Sequence, residues 1–138
     1  MLGVENGYAI GKDIENIARF RKMGVSYITL CHNGSNDICD SARGDAEWNG
    51  LSPFGKEVVR KMNESGILVD ISHAAESTFY DALETSAYPI IASHSSVRAL
   101  CNHPRNLTDE QLKALAKQGG VAQICLYKGF INEEAEKA

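Results

Sequence analysis

"ILVDISH", residues 67–73, and "PIIASHS", residues 89–95, share one form: a short apolar run that closes on Ser-His, at Ser72-His73 and again at Ser93-His94. Runs as continuously apolar as ILVDI and PIIA suit strands covered on both faces. Between them "AESTFYDALETS" (75–86) reads as a helix. Strand, helix, strand with both faces covered means a parallel pair joined by a right-handed crossover.

The alternation continues outward. Upstream, "LGVE" (2–5) reads as the end of a strand, and "KDIENIARFRKMG" (12–24) as a helix with Ile14, Ile17, Ala18 and Arg21 at helical spacing and Gly24 as its stop. "SYITLCH" (26–32) is β-branched and aromatic, hence a strand. A polar loop, "NGSNDICDSARGDAEWNG" (33–50), precedes the helix "SPFGKEVVRKMNESG" (52–66), with Ser52 as N-cap, Pro53 at its first position and Gly66 as terminator. Phe54, Val58, Val59 and Met62 give that helix one apolar stripe. Downstream, a turn-rich segment through Pro104 leads to "TDEQLKALAKQGG" (108–120), where Thr108 and Gln111 form a capping-box pattern, and then to the strand "VAQICLY" (121–127).

Five strands alternating with four helices place the chain in the α/β class with a parallel sheet. An open nucleotide-binding sheet would carry a glycine-rich phosphate loop after an early strand, and "GVENGYAIG" lacks that spacing. In a (β/α)8 barrel, chemistry comes from the C-terminal ends of several strands. Glu5, His32, His73, His94 and Tyr127 all fall where a strand gives way to a loop. The expected architecture is a partial TIM-like barrel of about five strands, a single incomplete domain over residues 1–138.

Composition narrows the function classes. The chain is 43% hydrophobic and 23% charged, with a formal net charge of −4 and no basic cluster. Nucleic acid and anionic membranes are therefore disfavoured partners. No apolar stretch approaches the roughly 20 residues that span a bilayer. No basic and apolar leader pattern opens the chain, so a cytoplasmic location is the default expectation. Cys31, Cys39, Cys101 and Cys125 form no C-x-x-C pair, and Cys31 and Cys125 read as buried thiols.

Three strand-end histidines and Glu5 would converge on one rim of a parallel sheet. Neutral imidazole and carboxylate together are a metal-ligand set. His103, in "CNHPRN", reads as a plain loop histidine. Arg105 reads either as a surface arginine or as a guanidinium that holds a carboxylate bidentately. Asp70 inside "VDIS" is equally a buried partner of a ligand or a ligand itself. Asp37, Asp40 and Asp45 read as solvated turn residues.

The long motifs "GVENGYAIG", "GVSYITLCHN", "GLSPFGKEVVRKMNESGILVDISH", "PIIASHSSVRALCNHPRNLTDEQL" and "GGVAQI" resemble the membrane (renal-type) dipeptidases, the zinc-dependent M19 peptidases. The resemblance runs over essentially the whole chain. It implies that Glu5 bridges two zinc ions and that His73 and His94 ligate one of them. It further implies that His32 contacts the substrate and the tetrahedral intermediate without ligating metal, and that Arg105 holds the substrate's free carboxylate. The implied reaction is metal-assisted hydrolysis of a dipeptide.

Two family features are missing from these residues: no His-x-Asp occurs anywhere, and no Asp-Phe-Asp-Gly-like motif follows Tyr127. The chain is therefore read as the middle of a family domain, binding at most one Zn²⁺ and inactive by itself. Its two raw sheet edges are open to association, as a homo-oligomer or otherwise. The rival readings are another amidohydrolase-like metal barrel and a non-catalytic half-barrel.

Overall fold

The computed structural model describes residues 1–132 and residue 134, so the end of the expected 1–138 domain lies outside the described residues. Strands β1 (Leu2–Glu5), β2 (Val25–Thr29), β3 (Leu68–Asp70), β4 (Ile91–Ser95) and β5 (Val121–Ile124) form one sheet, every neighbouring pair parallel. Helices α1 (Glu15–Lys22), α2 (Pro53–Glu64), α3 (Glu76–Thr85) and α4 (Asp109–Gln118) fill the four crossovers. Spatial order equals chain order, β1-β2-β3-β4-β5. A doubly wound sheet reverses its order at a switch point; this one never does. Each helix also packs on the next, α1 on α2, α2 on α3 and α3 on α4, as a single outer layer. The fold is α/β and wound as part of a (β/α)8 barrel.

Local chemistry sets the helix ends. Ser52 Oγ accepts from the Gly55 N–H at 2.9 Å, with Pro53 opening α2 behind it. The Thr108–Gln111 capping box closes in both directions, at 3.1 and 2.9 Å, and Gly119 ends α4 in the left-handed conformation. α1 begins later than its apolar spacing suggests, because Asp13 Oδ1 accepts from the Glu15 N–H and holds the preceding residues in a turn. Phe79, Ile17, Ile28, Val58, Val59, Met62, Val69, Ile90 and Leu115 are fully buried and fill the layer between sheet and helices.

The strands are shorter than the apolar runs that encode them, and β4 starts two residues later than expected. Pro89 has no N–H to offer a ladder. β3 pairs with β4 through one couple, Asp70↔Ile91. Beyond the bond from the Ile71 N–H to the Ile91 carbonyl, the side chains of Asp70 and Ser72 join the two strands, accepting from the Ser93 and His94 N–H groups. At the sheet's outer strand Val121 and Ile124 remain exposed, because nothing among the described residues covers that side of β5.

Candidate metal centre

Glu5 is the last residue of β1, and His94 lies inside β4, next to its end. His32 and His73 each sit three residues beyond a strand end, after Thr29 and Asp70, which are register partners. Equal offsets from paired residues bring the two imidazoles side by side, with ring centroids 4.3 Å apart. Glu5 Oε1 stands 3.1 Å from His73 Nε2, 3.1 Å from His94 Nε2 and 3.8 Å from His32 Nε2. The His73 and His94 Nε2 atoms are 3.0 Å apart.

These distances test whether a cation fits. Ligand atoms about 2.0 Å from a tetrahedral zinc lie roughly 3.3 Å from one another. The triangle of Glu5 Oε1, His73 Nε2 and His94 Nε2 has edges of 3.1, 3.1 and 3.0 Å, close to one face of that tetrahedron. His32 joins Glu5 and His73 in a wider three-donor group within 4.8 Å. His73 is buried, and its pKa falls to about 3, through burial first and then the positive fields of Arg105 and the neighbouring histidines. Its imidazole is therefore neutral, the form that ligates metal. The residues fit a divalent cation.

Asp70 is the buried partner rather than a ligand. Its Oδ1 accepts from the Ser72 and Ser93 N–H groups at 3.0 and 2.9 Å. Its Oδ2 accepts from Thr29 Oγ1 at 2.6 Å and from Ser93 Oγ at 2.5 Å. Ser93 Oγ in turn meets His94 Nδ1 at 2.7 Å. Successive strand residues normally face opposite ways. A register irregularity between Ala92 and Ser95 turns Ser93 and His94 toward one another.

Arg105 is no surface arginine: it is 5% exposed. One terminal nitrogen donates to the His94 carbonyl at 3.2 Å, the guanidinium carbon lies 5.0 Å from the Phe130 ring centre, and Nε has no partner. Burial lowers its pKa. His103 is also buried, with its ring on Phe130 and its Nδ1 accepting from the Arg105 N–H at 3.1 Å. It therefore supports the loop that carries Arg105. Tyr127 lies beyond the end of β5, half exposed and edge-on to Phe130. Cys31, Cys39 and Cys101 are buried, while Cys125, expected inside, is partly exposed near the open side of the sheet.

Sequence reading missed Asp40. Instead of a solvated turn residue it is 1% exposed, its carboxylate accepting from the N–H groups of Glu47, Trp48 and Gly50 at 2.8–3.2 Å. The loop it organises touches the metal candidate from behind. Ser41 Oγ donates to the His32 carbonyl at 2.6 Å, and the Ala42 N–H to the His73 carbonyl at 2.8 Å.

The family described as membrane dipeptidase (peptidase family M19) matches residues 1–138. A Claviceps purpurea protein, Dipeptidase tcpJ, is 39% identical over 139 residues, 100% of this chain and 33% of its own length. Dipeptidase 3 of Mus musculus is 33% identical over 136 residues, 95% of this chain and 28% of its own. Among solved structures, a metallopeptidase from Rhodobacter sphaeroides, liganded with a phosphinate mimic of the dipeptide L-Ala-D-Ala, superposes with a TM-score of 0.91 at 25% identity. The match covers 100% of this chain and 41% of that one. The chain spans about a third of the length of the curated relatives it matches.

Proposed function

The chain belongs to the membrane dipeptidase family, peptidase family M19, and on that premise we propose that it supplies part of the active site of a zinc-dependent dipeptidase. The observation that carries this reading is the triangle of Glu5, His73 and His94 donor atoms at the C-terminal rim of the sheet. In this reading those three residues hold zinc. Zinc, when bound, supplies Lewis-acid activation of water and of the scissile carbonyl.

The remaining roles fall to residues that do not ligate. His32 is half exposed and stands farther from Glu5 than the other two imidazoles, which suits a donor that meets charge developing on the substrate oxygen. Arg105 carries a buried Nε–H without an acceptor, and a substrate carboxylate would satisfy it along with a terminal N–H in parallel. A dipeptide offers that carboxylate next to the scissile bond. The Rhodobacter sphaeroides neighbour, with its dipeptide mimic, supports the same substrate class.

These 138 residues contain no His-x-Asp, so the donor set serves one cation, and the chain alone is inactive. The exposed residues of β5 support association through the open sheet edge. No described helix is long and apolar enough to cross a membrane. Metal analysis after dialysis tests the reading: about one zinc per chain is expected. Two tightly held zincs, or none, would sink it.

A further inference from the structure

The donors around Asp70 run in one direction, and the direction ends in the metal candidate. A carboxylate only accepts, so Ser93 must donate its hydroxyl proton to Asp70 Oδ2, 2.5 Å away. That leaves Ser93 Oγ as an acceptor toward His94 Nδ1 at 2.7 Å, which must then carry the proton. Ser72 completes the assignment: its Oγ accepts from the His94 backbone N–H at 2.9 Å and is free to donate to Ser93 Oγ at 3.4 Å. With Nδ1 protonated, Nε2 is the unprotonated nitrogen of His94, and it stands 3.0 Å from His73 Nε2 and 3.1 Å from Glu5 Oε1.

We propose that Ser93, oriented by Asp70, is a positioning residue that locks His94 into its Nδ1–H tautomer and so sets the affinity of the site for a divalent cation. The inference rests on the metal reading above and adds to it the two groups that prepare one ligand. The partner site is asymmetric, because His73 Nδ1 is buried with no acceptor. His94 is thus the imidazole whose tautomer and ring angle are fixed before a cation arrives. Outer partners of this kind orient metal ligands and raise their basicity. The register irregularity at Ser93 is what makes the contact available, since in a regular strand its hydroxyl would face away.

Thr29 supplies an internal control. Ser93 and Thr29 each donate one hydroxyl to the same Asp70 oxygen, but only Ser93 stands between Asp70 and His94. The experiment uses the 138-residue chain in three forms: wild type, Ser93→Ala and Thr29→Val. Long-range ¹H–¹⁵N spectra of the metal-free imidazoles give the His94 tautomer, and competition with a chelator gives zinc affinity. Ser93→Ala should release His94 into a tautomer mixture and weaken zinc by about 10–100-fold.

Thr29→Val should lower the melting temperature yet keep the tautomer, with zinc affinity within about twofold of wild type. Ser93→Thr, which keeps the hydroxyl, should restore both readouts. Should Ser93→Ala not fold, Ser93→Gly removes the same hydroxyl without adding a metal-binding group and is read the same way. The proposal is overturned if Ser93→Ala leaves tautomer and affinity unchanged, or if Thr29→Val weakens zinc as much as Ser93→Ala does. If wild type itself takes up no zinc, the metal reading falls, and the tautomer spectra alone decide whether Ser93 locks His94.

Discussion

Replacing Asp40 by asparagine isolates what holds the loop behind the site. The carboxylate accepts from three backbone N–H groups: Glu47 at 2.8 Å, Trp48 at 3.1 Å and Gly50 at 3.1 Å. Asparagine keeps the shape and turns one acceptor oxygen into an NH₂. In its better orientation Oδ1 still serves Glu47 and Trp48, while the new NH₂ opposes the Gly50 N–H. A hydrogen bond to a charged group contributes about 1.5–3 kcal/mol and a neutral one about 1. Losing one bond outright and weakening two others therefore costs roughly 2.5–7 kcal/mol. With a urea slope of about 2 kcal/mol/M, the unfolding midpoint should fall by roughly 1–3.5 M.

The assay has a built-in local probe. Trp48 is the only tryptophan, and its Nε1 donates to the Asn36 carbonyl at 2.9 Å within the same loop. Emission from Trp48 follows the loop, and far-ultraviolet circular dichroism follows the helices. pH separates charge from shape. Burial raises the Asp40 pKa, but the N–H groups of Glu47, Trp48, Gly50 and Asn49 outweigh it and hold it below the ordinary carboxylate value. A depressed folded pKa stabilises fully above the unfolded value and is lost as pH falls through the folded one. The gap between wild type and Asp40→Asn should therefore stay constant from about pH 8 to 5 and close below about pH 4. A mutant that unfolds within about 0.3 M urea of wild type, with unchanged Trp48 emission, would refute the reasoning.

Three further outcomes are expected. His73→Ala and His94→Ala should each abolish zinc retention on dialysis, whereas His32→Ala should keep the metal and, in a longer active protein, lose turnover; zinc lost from His32→Ala would make it a ligand. In that protein Arg105→Ala should erase the preference for a dipeptide over its C-terminal amide, and Arg105→Lys should recover little of it, as rates on the two substrates would show. Gly55→Ala should destabilise by about 1–3 kcal/mol in urea titrations, because a Cβ there meets the Ile38 carbonyl, while Gly34→Ala, with open space around it, should stay within about 0.5 kcal/mol.

Features set by neighbours in sequence were legible before the structure. The Ser52-Pro53 start of α2 and the Thr108–Gln111 box of α4 are chemistry within one turn, and the chain carries them openly. The rim was legible too, because parallel strands converge at their C-terminal ends whatever their order. Strand limits were not, since beyond Ile91 the side chains of Asp70 and Ser72 replace the ladder between β3 and β4 with bonds that no periodicity records. Asp40 looks like Asp37 and Asp45 in the sequence. What singles it out is three N–H groups seven to ten residues ahead folding back onto it. The Ser93–His94 contact was hidden by the rule that adjacent strand residues face apart, and Arg105 by the polar loop that carries it.

His73 shows how the site depends on more than strand ends. Among the described residues, the non-glycine positions with positive φ are Asn6, Asn49 and His73, at 80°, 56° and 71°. Asparagine tolerates this conformation because its side chain bonds locally, as Asn6 Oδ1 does with the Tyr8 N–H at 3.1 Å. The imidazole of His73 offers no such local bond, so a cost of about 1–2 kcal/mol must be met from outside. Its carbonyl receives the Ala42 N–H at 2.8 Å and Ser41 Oγ at 3.2 Å, both from the loop organised by Asp40. Ser41 also binds the His32 carbonyl, so one hydroxyl ties the backbones of two rim histidines together. Left-handed φ at His73 turns its ring off the β3 axis and toward Glu5 and His94. The donor triangle therefore requires the loop 33–50 as much as it requires the sheet.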